Sequence, residues 1–190
     1  LMDDFHLNNI NAVLDTVTGV TVERVETDRT YFTARGFDVT NFQVDGIGLP
    51  LYYGLLSGDL DTAIYDRIEV IRGATGLMAG TGNPSASVNF IRKRPTAEFQ
   101  GRVGVSYGSW NNLRMDADVS SPINSAGTLR GRLTLAAQDR DSYLDRYHGS
   151  KTVINGILEA DVGENTLLTV GHTRQENKPK GLIWGALPLS

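Results

Sequence analysis

The sequence predicts two unlike parts: an α+β domain over residues 1–96, then over 97–190 the first antiparallel strands of a transmembrane β-barrel, left incomplete. Three observations predict it. Periodicity is mixed up to about Pro95, whereas beyond residue 100 apolar and polar residues alternate almost strictly. Most of the later strands reach about 9–11 residues, enough to cross a bilayer at a tilt, where ordinary strands average about 5–6. Arginines and aspartates recur at the centres of their polar faces, which suits a wet or protein-filled lumen. Alternation by itself equally marks a half-exposed sheet in a soluble sandwich, so strand length and polar-face charge carry the argument. Five strands fall short of closure, because such barrels begin at about 8.

In the first part, Asp3 or Asp4 is placed to cap a helix in which Leu7, Ile10, Leu14 and Val17 recur at helical spacing, with Gly19 as its stop. Val20–Arg24 and Tyr31–Ala34 read as short strands, and Phe42–Val44 runs into an Asp45-Gly46 turn. Ser57 is placed to cap a second short helix ending near Tyr65. A strand follows at Arg67–Arg72, then the glycine-rich passage Gly73–Gly82, then a strand at Ser87–Arg92.

In the second part, Val103, Val105 and Tyr107 alternate with Arg102, Gly104 and Ser106. Leu113, Met115, Ala117 and Val119 alternate with Arg114, Asp116 and Asp118. Leu129–Gln138 sets Leu129, Leu133, Leu135 and Ala137 opposite Arg130, Arg132, Thr134 and Gln138. Thr152–Val162 sets Ile154, Leu158, Ala160 and Val162 opposite Asn155, Glu159 and Asp161, with Val153 and Ile157 as exceptions. A fifth strand runs from about Thr166 to Arg174. Among the connections, Gly163–Asn165 is short and Ser121–Thr128 modest, whereas Arg140–Lys151 and the stretch after Arg174 read as long loops. Short turns on one side and long loops on the other is the outer-membrane pattern, which the short Gly108–Asn112 breaks.

Composition removes several classes of function. A net charge of −4 without a Lys/Arg cluster argues against nucleic acid as a partner. The absence of cysteine excludes disulfides, thiolate metal sites and a cysteine nucleophile. No apolar run approaches the roughly 20 residues of a spanning helix, and Leu1–Asp4 has neither the basic nor the apolar region of a signal peptide. Gly104-Val-Ser-Tyr-Gly108 matches the hydrolase G-x-S-x-G elbow, but Ser106 sits inside an alternating strand with no helix after it. Gly73–Gly82 lacks the Lys-Ser/Thr of a phosphate loop and the third glycine of a dinucleotide loop. His6, His148 and His172 are scattered, and Asp139, Asp141 and Asp145 lack calcium-loop spacing, so no metal site is expected. Arg67, Glu69 and Arg72 bracket Ile68, Val70 and Ile71. They are either a solvated strand face or charges held for pairing with another surface, where the planar guanidinium favours a bidentate partner.

The run Tyr65-Asp-Arg-Ile-Glu-Val-Ile-Arg-Gly-Ala-Thr-Gly-Leu-Met-Ala-Gly-Thr-Gly-Asn-Pro-Ser-Ala-Ser-Val-Asn-Phe-Ile-Arg-Lys-Arg-Pro-Thr96 resembles the plug of TonB-dependent siderophore receptors. Ala34-Arg-Gly-Phe37, Val44-Asp-Gly-Ile47 and Met2-Asp-Asp-Phe-His-Leu7 resemble other plug segments in the right order. Gly108-Ser-Trp-Asn-Asn112 and Ala117-Asp-Val-Ser-Ser-Pro122 resemble the first barrel hairpin. The likeness is strongest to the branch of ferric pyoverdine, ferrioxamine and coprogen receptors. It implies a plug domain over 1–96 and barrel strands over 97–190, in the outer membrane of a bacterium. The implied function is binding and import of a ferric siderophore, with lipid around the barrel and the TonB–ExbB–ExbD complex as energy source. The TonB box, first plug strand and most barrel strands of the family pattern would lie outside this stretch.

No catalytic residue and no cofactor are expected, the iron being carried by the siderophore. The same scaffold also serves cobalamin or a glycan in this family, and a soluble β-rich binding module is the rival from another class. By resemblance, Arg24 and the pair Tyr52 and Tyr53 are ligand-binding positions in apical plug loops, with Trp184 where an extracellular barrel loop begins. A guanidinium suits anionic siderophore oxygens and phenol rings suit a chelate. The resemblance makes Arg67, Glu69 and Arg72 anchors of the plug to the barrel wall rather than ligand contacts.

Overall fold

The computed structural model describes residues 5–49, 56–73 and 84–183, and these divide into two compact units. One comprises the described residues up to Arg92 together with Leu182 and Ile183; the other is Lys93–Gly181.

The first unit opens with a single turn-and-a-half helix, α1 (Ile10–Asp15). Its cap is Asn9, in extended conformation, whose Oδ1 accepts from the Ala12 N–H at 2.7 Å. The expected cap at Asp3 or Asp4 lies outside the described residues, and the helix begins later than Leu7 for a visible reason. Residues 8–10 are spent on pairing with 60–62: Asn9 bridges Asp61, and the Ile10 N–H donates to the Leu60 carbonyl at 3.0 Å. Ile10 and Leu14 are fully buried, so the apolar spacing was read correctly even though the helix is shorter.

Two small sheets follow. The first has β1 (Val20–Arg24), β2 (Arg29–Ala34) and β3 (Phe37–Asp38) in sequence order, with β6 (Leu56–Ser57) also paired to β2. The second has the order β5-β4-β8-β7, from β4 (Asn41–Val44), β5 (Ile47–Gly48), β7 (Tyr65–Arg72) and β8 (Ala86–Arg92), with only β4 and β8 parallel. Asp45 and Gly46 both have positive φ, 50° and 81°, and Val44 pairs with Ile47, which makes the predicted turn a two-residue hairpin of type I′. Phe42 links the core of the two sheets, with Phe32 edge-on at 5.6 Å between centroids and Phe90 stacked at 6.2 Å.

The second helix expected from Ser57 is absent. Ser57 pairs with Arg29 in β6, and Asp61 Oδ1 accepts from the Ala63 N–H at 2.9 Å, a side-chain bond that favours a turn over a helix.

The second unit is one antiparallel meander, β9 (Gln100–Gly108), β10 (Asn112–Pro122), β11 (Leu129–Asp141), β12 (His148–Asp161) and β13 (Leu167–Lys180), with strands of 9 to 14 residues. Of the loops expected at Arg140–Lys151 and after Arg174, residues 140, 141, 148–151 and 175–180 are instead ladder, which leaves 142–147 as the connection. Asp141 pairs with His148, whose Nδ1 lies 3.0 Å from Asp141 Oδ1 and whose Nε2 lies 3.2 Å from Asp139 Oδ2. Lys178 and Lys180 pair with Ser150 and His148. All four connections are therefore short, so they carry no long-loop asymmetry.

The face pattern is inverted relative to a soluble sheet. Val103, Val105, Tyr107, Met115, Leu133, Ile154, Leu158 and Val170 are exposed on one face, while Arg114, Thr134, Asn155 and Glu159 on the other are buried. Val153 and Ile157, the two exceptions to the alternation, are buried on that polar side. The apolar belt also slants. Tyr107 and Leu113 share a row with Asp139, Ser150 and Lys178, so this row is apolar on β9 and charged on β13. Leu158 and Val170 share a row with Gly131 and Ser121, lower on the sheet. Strands tilted against a flat apolar slab produce such a slant.

Candidate functional site

Arg24 is the last residue of β1 and continues the face that carries Val20 and Val22, opposite Thr30 of β2. Its guanidinium is exposed and makes no hydrogen bond or ion pair among the described residues. The turn that follows is built by its own side chains. Arg29 is clamped on Glu26 through two nitrogens, and the Val25 N–H donates to the Arg29 carbonyl at 3.1 Å.

Two other stretches close on this turn. The chain entering β6 does so through Leu56, paired with Thr30, and the Gly58 N–H donates to the Asp28 carbonyl at 2.9 Å. From far along the sequence, the Ile183 N–H donates to Thr27 Oγ1 at 3.1 Å, and Thr27 Oγ1 lies 3.3 Å from the Ile183 carbonyl oxygen. Tyr52, Tyr53 and Trp184 lie outside the described residues. Leu56 and Ile183, the nearest described residues in the chain, both meet the turn that Arg24 begins. Thr27 was missed in the sequence, and no local pattern marks a contact made across 156 positions.

Arg67, Glu69 and Arg72 do not form one constellation. β7 is an edge strand with an irregularity between Tyr65 and Arg67. Arg67 donates to Glu69 Oε1 at 2.8 Å and to Asp66 Oδ2 at 3.2 Å, which raises its pKa further above the ordinary guanidinium value. Glu69 also accepts from Asn89 Nδ2 at 3.3 Å. Arg72 points elsewhere and donates to the Thr18 carbonyl. Ser106 lies mid-strand in β9 opposite Arg114, followed by a turn and β10, so the elbow geometry is absent. Asp139 and Asp141 are both turned to His148 rather than to a shared centre with Asp145. No helix among the described residues is long and apolar enough to cross a membrane.

A small α+β unit precedes a meander of long strands with an exposed apolar face, and the TonB-dependent receptor plug domain family matches residues 1–87. Residues 1–87 thus carry the plug domain of the TonB-dependent receptors, and siderophore receptors are among the proteins that the whole chain resembles. It is 48% identical to the ferripyoverdine receptor of Pseudomonas aeruginosa over 99% of this chain and 24% of that protein. The crystal structure of the ferripyoverdine receptor of the outer membrane of Pseudomonas aeruginosa bound to ferripyoverdine superimposes with a TM-score of 0.92, at 47% identity, over 97% of this chain and 25% of that one. The alcaligin outer-membrane receptor of Bordetella pertussis superimposes at 0.82, with 43% identity, over 93% and 30%. The chain thus spans about a quarter of the length of the relatives it matches.

Proposed function

We propose that this chain is the plug domain (1–96) and the first barrel strands (97–190) of a receptor that binds a ferric siderophore and imports it across the outer membrane. The observation that supports the reading is the meeting of three sequence-distant stretches, through Leu56 and Ile183, at the turn after Arg24, whose guanidinium is exposed. An anionic chelate is held there by charge-assisted hydrogen bonds from Arg24 and by aromatic contact. The iron arrives and leaves as cargo inside its chelator, so the protein needs no cofactor and performs no covalent chemistry. Arg67, Glu69 and Arg72 serve anchoring of the plug. The TonB–ExbB–ExbD complex supplies energy through a segment N-terminal to Leu1. Support comes from the relatives, which are named as receptors for ferric pyoverdines.

The test is a binding titration on the full-length receptor with a panel of ferric siderophores. Arg24→Ala weakens the preferred ligand about ten- to a hundred-fold, the range for a lost charged hydrogen bond. Unchanged affinity removes Arg24 from the site. Failure of every ferric chelate to bind, with cobalamin or a glycan binding instead, overturns the siderophore assignment.

A further inference from the structure

Arg92, Lys93 and Arg94 are consecutive, and they are fastened into different units. Arg92 is held in the first: its Nε donates to Asp45 Oδ2 at 2.7 Å and its backbone N–H to Asp45 Oδ1 at 3.0 Å. The next residues are held in the second. Lys93 Nζ donates to Asp118 Oδ2 on β10 at 2.9 Å. Arg94 donates to Glu159 Oε1 on β12 at 3.1 Å and to Thr169 Oγ1 on β13 at 3.2 Å, while its carbonyl accepts from Arg132 on β11 at 2.8 Å. The Thr96 N–H donates to Ser120 Oγ on β10 at 2.8 Å. Residues 93–96 therefore lie as a strap over four adjacent strands.

The acids that receive the strap are nearly buried, with side-chain exposures of 13% for Asp118 and 6% for Glu159. Asp118 also accepts from Arg132 through Nε at 2.8 Å and Nη2 at 2.7 Å, and from the Thr134 hydroxyl. Lys93 is itself 19% exposed, so its pair with Asp118 is nearly buried, whereas Arg94 is 48% exposed. A nearly buried pair such as Lys93–Asp118 adds little net stability, because desolvation offsets attraction. Removing one partner is nevertheless expensive, since it strands the other charge. Such a network resists being pulled apart more than it adds to folding.

We propose that Lys93–Thr96 is a force anchor: when the residues before Lys93 are loaded during import, the strap stays with the sheet and rearrangement stops at the Arg92–Lys93 bond. Lys93 and Arg94 are positioning residues that act through Asp118 and Glu159. Import supplies only the source of the load, and this inference rests on that reading for that point alone.

The experiment is single-molecule pulling on the full-length receptor in a lipid bilayer, with the handle at its N-terminus. Expected is a plateau whose extension corresponds to the residues before Lys93, at up to about 3.3–3.6 Å each. The double variant Lys93→Gln/Arg94→Gln, which leaves the Asp118–Arg132 grip in place, lengthens the extension beyond that limit. It also speeds detachment at fixed force about ten-fold or more. Asp45→Asn, which loosens only the Arg92 side, lowers the force of earlier steps and leaves the plateau length unchanged. A plateau of the same length and lifetime in the double variant, or a plateau that moves in Asp45→Asn, overturns the anchor. Because pulling needs no ligand, failure of siderophore binding would sink the import reading without touching this result.

Discussion

Tyr65 sits at the start of β7 with its ring 5.2 Å from Phe90, and burial pushes its hydroxyl up to about 12 from the usual 10. Arg92 nearby pulls the other way, while Asp45 and Asp61 add to the rise. A group whose folded pKa is raised gives stability that is complete below its unfolded value and is lost as pH climbs through the folded one. The plug domain should therefore loosen between about pH 10 and 12, with Tyr65 ionising late. Ultraviolet titration of the receptor against Tyr65→Phe measures this: a missing late phase in the variant assigns it, and identical titrations refute it. Phe42, 1% exposed, packs between Phe32 and Phe90 in this core. Phe42→Ala should destabilise the domain by about 3–5 kcal/mol in denaturant titration.

Among the elements, legibility followed periodicity. All five long strands were visible, but only the first four could be read for their faces, because there a period of two is sustained. The fifth was placed from about Thr166 without a clear facing. The strand ends were not visible, since Asp139, Asp141 and His148 look like loop residues until they are seen extending a ladder. In the first unit the longer strands and the Asp45-Gly46 turn were visible, whereas the two-residue strands β3, β5 and β6 were not, the second helix was not real and the first began late. There the deciding bonds, such as Asn9 with Asp61, join residues some fifty positions apart. Asn9→Ala removes the cap bond and should cost about 1 kcal/mol, read from the denaturation midpoint. On β10, Met115 lies in the apolar belt at 52% exposure. Met115→Arg should destabilise the barrel in lipid vesicles by about 2–4 kcal/mol, the range for a cation near the bilayer midplane. A neutral result would mean that this face does not meet lipid.

At the scale of the molecule, the candidate site was legible only as far as one chain segment could carry it. Arg24 was named from the family resemblance alone, and nothing near it in sequence announces that Ile183 docks on Thr27. The Thr27→Val variant keeps the shape and removes the hydroxyl. It should weaken ligand binding by the full-length receptor a few-fold without changing barrel stability, since it frees only the attachment of the stretch that begins with Trp184. The sheet itself carries a further implication. With its grease outward and its charges inward, it has no comfortable surface to show water during the journey from ribosome to bilayer. The same alternation that makes it a good wall makes it a poor traveller, since Val103, Met115, Leu133 and Leu158 form an apolar face prone to aggregation before insertion.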